Sequence, residues 1–182
     1  MSGAPFDVVE ASIADLRAAL DAGRVTSEEL TRAYLDRIEA YDRPGTATAL
    51  NALVVMNPSA IDDARASDAR RARGDSLGPL DGIPYTAKDS YLARGLTAAA
   101  GSPAFEHLVA QRDAFTIERL RAAGAVLIGL TNMPPMANGG MFVSPMSTAP
   151  PARSRSIVNA SRWATRCSNA GLPAAAVSPF AR

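Results

Sequence analysis

Ala125–Leu130 is an apolar run without one polar side chain, and it constrains the fold more than any other stretch of this chain. A run with no alternating polar face reads as a strand buried on both sides, the kind found in sheets that helices cover. The residues before it have helical spacing: Asp113 stands at a cap position, Ala114, Ile117 and Leu120 share a face, and Gly124 is the stop. Further back, the turn-rich stretch Gly78-Pro79-Leu80-Asp81-Gly82 leads into a second apolar strand that begins at Ile83. Strand, helix and second buried strand predict a βαβ unit, and hence an α/β fold.

The earlier part of the chain reads as scaffold. Ser12 opens a helix with Asp15 in its first turn, Leu16 and Leu20 on one face and Gly23 as its stop. Thr26 and Glu29 form a capping box for a second helix, on which Leu30, Ala33, Tyr34, Ile38 and Tyr41 keep helical spacing until Arg43-Pro44-Gly45. The two predict an α-helical hairpin. Leu50–Met56 reads as a short strand; Asn57 caps and Pro58 starts a third helix that runs to Gly74. Its charged residues, Asp62, Asp63, Arg65, Asp68, Arg70, Arg71 and Arg73, read as a solvated face with i,i+3 and i,i+4 pairs, not as a nucleic-acid patch.

Composition matters most at one position. The chain has 19 basic residues, and all but Lys88 are arginine. Arginine keeps its charge at any ordinary pH, whereas a lysine in an apolar pocket can work as a neutral base. Lys88 follows directly on the strand from Ile83, which makes it the candidate catalytic group. A single cysteine and a single histidine exclude a disulfide framework and a Cys/His zinc site built by this chain alone. A serine–histidine–aspartate mechanism would have to rest on His107, which reads as a loop residue. With 182 residues and 47% hydrophobic side chains, one domain with a real core is expected. No charged-then-apolar leader and no apolar run near ~18 residues occurs, so neither secretion nor membrane insertion is expected, and the cytoplasm is the expected location.

Thr131-Asn132-Met133-Pro134-Pro135 leaves the last strand as a stiff loop, and Met136-Ala137-Asn138-Gly139-Gly140-Met141 follows. Taken together, Gly78–Pro84 leading to Lys88-Asp89, Thr97–Ser102, Asp113 with Glu118–Ala125, and Gly129 with Thr131–Pro134 resemble the amidase signature family. Order and spacing agree from about Ser12 to Met141, so the chain resembles the N-terminal portion of that family.

The resemblance implies an amidase-type mixed sheet surrounded by helices and a serine–cis-serine–lysine triad that hydrolyses amides without metal or organic cofactor. Lys88 matches the triad lysine. It would sit neutral in a desolvated site and pass protons through one serine to and from another, with Asp89 directed to the opposite face of the strand. The resemblance also implies that Met136, Ala137 and Asn138 lie along the substrate cleft and that the substrate is a small amide. In Arg166–Gly171, Ser168 is the candidate bridging serine, with Cys167 where the family has a serine. No glycine–glycine–serine motif follows it, so the expectation is a chain that carries the base and lacks the nucleophile.

All 18 acidic residues lie at or before Glu118, and seven arginines follow without an acid. Residues 1–141 are therefore expected to form the amidase-like portion, and residues 142–182 an atypical basic tail rich in Ser, Pro, Ala and Arg, irregular in structure. An inactive relative that acts by binding a partner is the alternative expectation. Nucleic-acid binding is not expected, and the sequence does not specify an oligomeric state.

Overall fold

The computed structural model describes residues 6–134 apart from 44 and 48. Helices α1 (Ile13–Asp21) and α2 (Ser27–Asp42) both begin with full capping boxes, Ser12 with Asp15 and Thr26 with Glu29. Strand β1 (Leu53–Met56) and helix α3 (Ala60–Ala72) follow, then β2 (Pro84–Lys88), α4 (Phe115–Ala122) and β3 (Val126–Thr131). The three strands form one mixed sheet in the order β1-β3-β2, with β1 antiparallel and β2 parallel to β3. The expected βαβ unit is therefore β2-α4-β3.

β3 is the hub, and every residue of it is buried. On one side Ile128 packs with Leu16, Leu20, Leu30, Tyr34 and Ile83. On the other, Leu127 and Leu130 pack with Leu96 and Ile117. Leu127 and Leu130 share a cluster because the register with β2 slips by one residue between Tyr85 and Thr86. Such a bulge resets the alternation of faces. Each buried Leu or Ile is worth about 1.5–3 kcal/mol, so Leu127, Ile128 and Leu130 make this strand a large contributor to the core. Gly129 is the one residue of the run with no side chain, and a Cβ there would collide with the carbonyl oxygen of Val55 on β1.

β2 differs from its expectation. All five residues are only partly buried, because among the described residues β2 pairs with β3 alone. β1 begins later than Leu50; Asn51 has φ 49°, and the Asp42 carboxylate at the end of α2 accepts from Ala52 N–H (2.9 Å) and Leu53 N–H (2.8 Å). Asn57 does not cap α3. Its side chain accepts from Ser59 N–H and donates to Leu127 O at 2.8 Å, which ties the turn to β3 and starts the helix at Ala60. Asp113 likewise does not cap α4, whose N-cap is Ala114; its carboxylate accepts from Arg94 N–H at 2.6 Å instead.

The charged residues of α3 are tethers between elements more than a solvated face. Asp68 accepts from the N–H groups of Ser27 (2.7 Å) and Glu28 (3.0 Å), the unpaired amides that open α2. Arg65 pairs with Glu28, Arg71 with Asp21 and Arg70 with Asp81, while only the Asp62–Arg65 pair lies within α3. The guanidinium of Arg65, with that of Arg32, holds the Glu28 carboxyl down at about 2. Asp81 is buried beneath the turn before β2, and Gly124 must be glycine to let it in. At Gly124 φ is +81°, a Cβ would lie 2.9 Å from Asp81 Cα, and its carbonyl accepts from Gly82 N–H at 2.9 Å.

Candidate active site

Lys88 is the last residue of β2 and stands opposite Thr131, the last residue of β3. Both therefore lie at the carboxyl end of a parallel strand pair, the end at which open α/β sheets bind ligands. Lys88 is partly buried, and its Nζ donates to the carbonyl of Asn132 at 3.3 Å.

The backbone around it is held from every side. Thr131 Oγ1 donates to Ala87 O at 3.1 Å, Asp89 N–H to Thr131 O at 3.0 Å, and Tyr91 N–H to Lys88 O at 2.9 Å. Asn132 is itself fixed to the lead-in of β1, its N–H to Ala52 O at 2.8 Å and its Nδ2 to Asn51 O at 3.0 Å. The carbonyl that receives the lysine amine is thus a rigid acceptor.

The side chain of Asp89 goes elsewhere. It is 3% exposed, and its two oxygens accept from Ala99 N–H and Gly101 N–H, each at 3.1 Å. Lys88 and Asp89, adjacent in sequence, reach different partners. Neither the Asn132 carbonyl nor the clamp at Asp89 was foreseen from the sequence. A carboxylate directly after a strand and before a glycine-containing loop is the signal that could have found the clamp, because such loops present N–H groups that need acceptors.

A largely apolar groove of about 380 Å³ runs along β2 to Lys88. Its walls include Tyr34, Ile83, Tyr85, Tyr91 and Ile117. Burial pushes the phenols of Tyr34 and Tyr85 up to about 12; for Tyr85 the Arg121 guanidinium opposes the shift and the Asp113 and Asp63 carboxylates add to it. An apolar surface next to an amine suits a ligand with an apolar body and a polar end. A larger and more open groove of about 690 Å³ lies over Arg94, Arg112 and Asp113, and Lys88 is not among its walls.

Of the sequence-derived site residues, Lys88 lines this groove, while Met136, Ala137, Asn138 and Ser168 lie outside the described residues. The serines whose hydroxyl contacts are described serve the fold. Ser12 and Ser102 cap helical turns, and Ser27 donates to Gly82 O at 2.9 Å. His107 is a surface residue, its side chain 91% exposed beside Glu106. Among the described residues no three His, Cys, Asp or Glu side chains are grouped to hold a metal ion, and no helix is long and apolar enough to cross a membrane.

Residues 29–154 match the amidase family. A glutamyl-tRNA(Gln) amidotransferase subunit of Aromatoleum aromaticum is 42% identical over 133 residues, covering 72% of this chain and 26% of that protein. Its counterpart in Acidothermus cellulolyticus is 39% identical over 134 residues, with 73% and 26% covered. Among solved structures, the native peptide amidase of Stenotrophomonas maltophilia aligns with a TM-score of 0.69 at 42% identity, covering 74% of this chain and 27% of that one. The chain spans about a quarter of the length of these relatives.

Proposed function

We propose, from the premise that this chain belongs to the amidase family, that it carries the proton-transfer end of a hydrolase for carbon–nitrogen amide bonds. Lys88 is the base. The observation that carries this is its placement: the only lysine of the chain lies at the carboxyl end of a parallel strand pair, with its amine on the Asn132 carbonyl and its side chain lining an apolar groove.

In the proposed reaction a serine hydroxyl attacks the amide carbonyl. Its proton passes through a second serine to the neutral Lys88 amine, and a tetrahedral oxyanion forms. The resulting ammonium returns the proton to the departing nitrogen, the carbon–nitrogen bond breaks, and an acyl-serine remains. Water then repeats the sequence, giving its proton to Lys88 and releasing the acid. The Asn132 carbonyl accepts a hydrogen bond from the amine in either protonation state, so it orients the amine throughout. Ser168 is the proposed bridging serine. The attacking serine of the family matches no position in the 182 residues, and little or no turnover by this chain alone is proposed. The proposed substrates are peptide amides, a reading supported by the likeness to the peptide amidase.

A chimera tests the assignment. Residues 6–134 of this chain replace the matching quarter of the Stenotrophomonas peptide amidase, and hydrolysis of peptide amides is measured with Lys88 and with Lys88→Met. Activity in the first and a loss of about 10³-fold or more in the second is the expected result. A folded chimera whose turnover does not depend on Lys88 would refute the role. For the 182-residue chain itself, a clean hydrolysis rate abolished by Lys88→Ala would overturn the expectation of inactivity.

A further inference from the structure

We propose that Asp89 is the positioning residue of this site, which rests on the assignment of Lys88 as base. Its carboxylate does not face the groove; it gathers a loop. Ala99 N–H reaches Oδ1, Gly101 N–H reaches Oδ2, and Ala100 N–H reaches the carbonyl of Asp89 itself at 3.2 Å. Three successive amides thus converge on one residue. The loop accepts an unfavourable geometry to do this, since Ala100 has φ 49° in the left-handed region that alanine seldom occupies. Ser102 N–H closes the turn on Ala99 O at 2.9 Å, and the bridge between Thr97 and Val109 ties its start to the next segment.

The consequence falls on Lys88. β2 ends there, and among the described residues the ladder to β3 is its only strand pairing. Without the carboxylate, the residue after Lys88 would keep two backbone bonds, its N–H to Thr131 O and its carbonyl from Ala100 N–H, and the loop that holds the end of the strand would loosen. With it, the peptide on the C-terminal side of Lys88 is fastened to a closed loop, and the amine is aimed from a fixed base.

The test uses the 182-residue chain and needs no turnover. Lys88 is its only lysine, so acetylation by acetic anhydride, read by mass spectrometry against the chain's own α-amine, reports on one side-chain amine. Amide hydrogen exchange reads the loop in parallel. In Asp89→Ala the amides of Ala99 and Gly101 should exchange about tenfold faster or more, while those of Val126–Leu130 keep their protection. Asp89→Asn retains one acceptor oxygen, so one of the two loop amides should stay protected. The relative acetylation rate of Lys88 should rise about threefold or more in the alanine variant, with the asparagine variant between it and the parent, and its pH profile should move.

If the loop loosens while the rate and pH profile of Lys88 stay at parental values, Asp89 is a loop fastener and the positioning role is overturned. Unchanged loop amides would overturn the clamp itself. Should the alanine variant lose protection in β3, the near-isosteric asparagine variant decides on the same two readouts. Failure of the underlying assignment looks different. A parental Lys88 that acetylates like a free amine would sink the base, whereas the clamp is judged on differences between variants.

Discussion

Arg70→Met offers the sharpest test of how the lead-in to β2 is held. The Asp81 side chain is 0% exposed and receives Arg70 Nη2 at 2.6 Å and Leu77 N–H at 3.0 Å; Arg70 is 24% exposed. Methionine keeps most of the arginine stem and removes the charge, leaving a buried carboxylate with a neutral donor. Breaking a buried pair from one side costs about 3–5 kcal/mol, and the surviving Leu77 contact points to the lower end, about 3 kcal/mol. From the other side the cost should be smaller. Asp81→Asn leaves Arg70 within reach of water, so about 1–2 kcal/mol is expected. The pH dependence separates the two further. Burial pushes the Asp81 carboxyl up, but Arg70 and the Leu77 amide outweigh it and hold it below its ordinary value. A lowered carboxylate contributes stability above the usual range near pH ~4, and this is lost as pH falls through the folded value. In the methionine variant only the neutral Leu77 amide and Ser67 hydroxyl oppose burial, so the charge without its cation is a penalty at neutral pH that protonation relieves in acid. Urea unfolding followed by far-UV circular dichroism should show the gap to the parent near its full size at about pH 7 and clearly reduced near about pH 4. A cost below about 1 kcal/mol, or one that is the same at both pH values, would refute the reasoning.

Gly124→Ala should lower stability by about 2–4 kcal/mol, because the left-handed backbone is strained and the new methyl meets the Asp81 backbone and carboxyl. A thermal midpoint within a degree or so of the parent, on the order of experimental error, would show that Asp81 can withdraw. At the alkaline end, Tyr34 and Tyr85 are held up at about 12 by burial, above an ordinary phenol near 10. A raised value contributes stability that is present below the unfolded pKa and disappears as pH climbs through the folded one. Phenolate absorbance should therefore include a late component that appears with the loss of helical dichroism between about pH 10 and about pH 12. All four tyrosines titrating near about pH 10 with the helices intact would contradict the burial of these two.

The sequence announced the elements whose signals are local. Capping boxes at Ser12 and Thr26 need only residues three apart, and the uninterrupted Ala125–Leu130 run needs only its own composition. What it hid was which partner a polar side chain chooses. Asn57 and Asp113 both satisfy the rules for a helix cap, yet each finds a better acceptor or donor across the fold, at Leu127 O and Arg94 N–H. The acids and arginines of α3 have helical spacing for pairs with one another, but Asp68 and Arg71 reach residues 40 or more positions away. Spacing along one helix cannot encode such meetings, because they depend on where α2 and the β2 lead-in end up. For the site, the singular lysine made Lys88 visible; its acceptor at Asn132 was invisible, because a backbone carbonyl carries no sequence signature.

The placement of β3 also bears on how the chain is made. β1 and β2 do not pair with each other, since each pairs with β3, and β3 is the last of the three to be synthesised. During translation the first two strands must therefore wait, unpaired, until residues 126–131 have left the ribosome. Helices can form as they emerge, but the sheet and the bond from Lys88 to Asn132 can assemble only in one late step. Until then β1 and β2 are unpaired edges, the state in which a chain is most open to pairing with another strand.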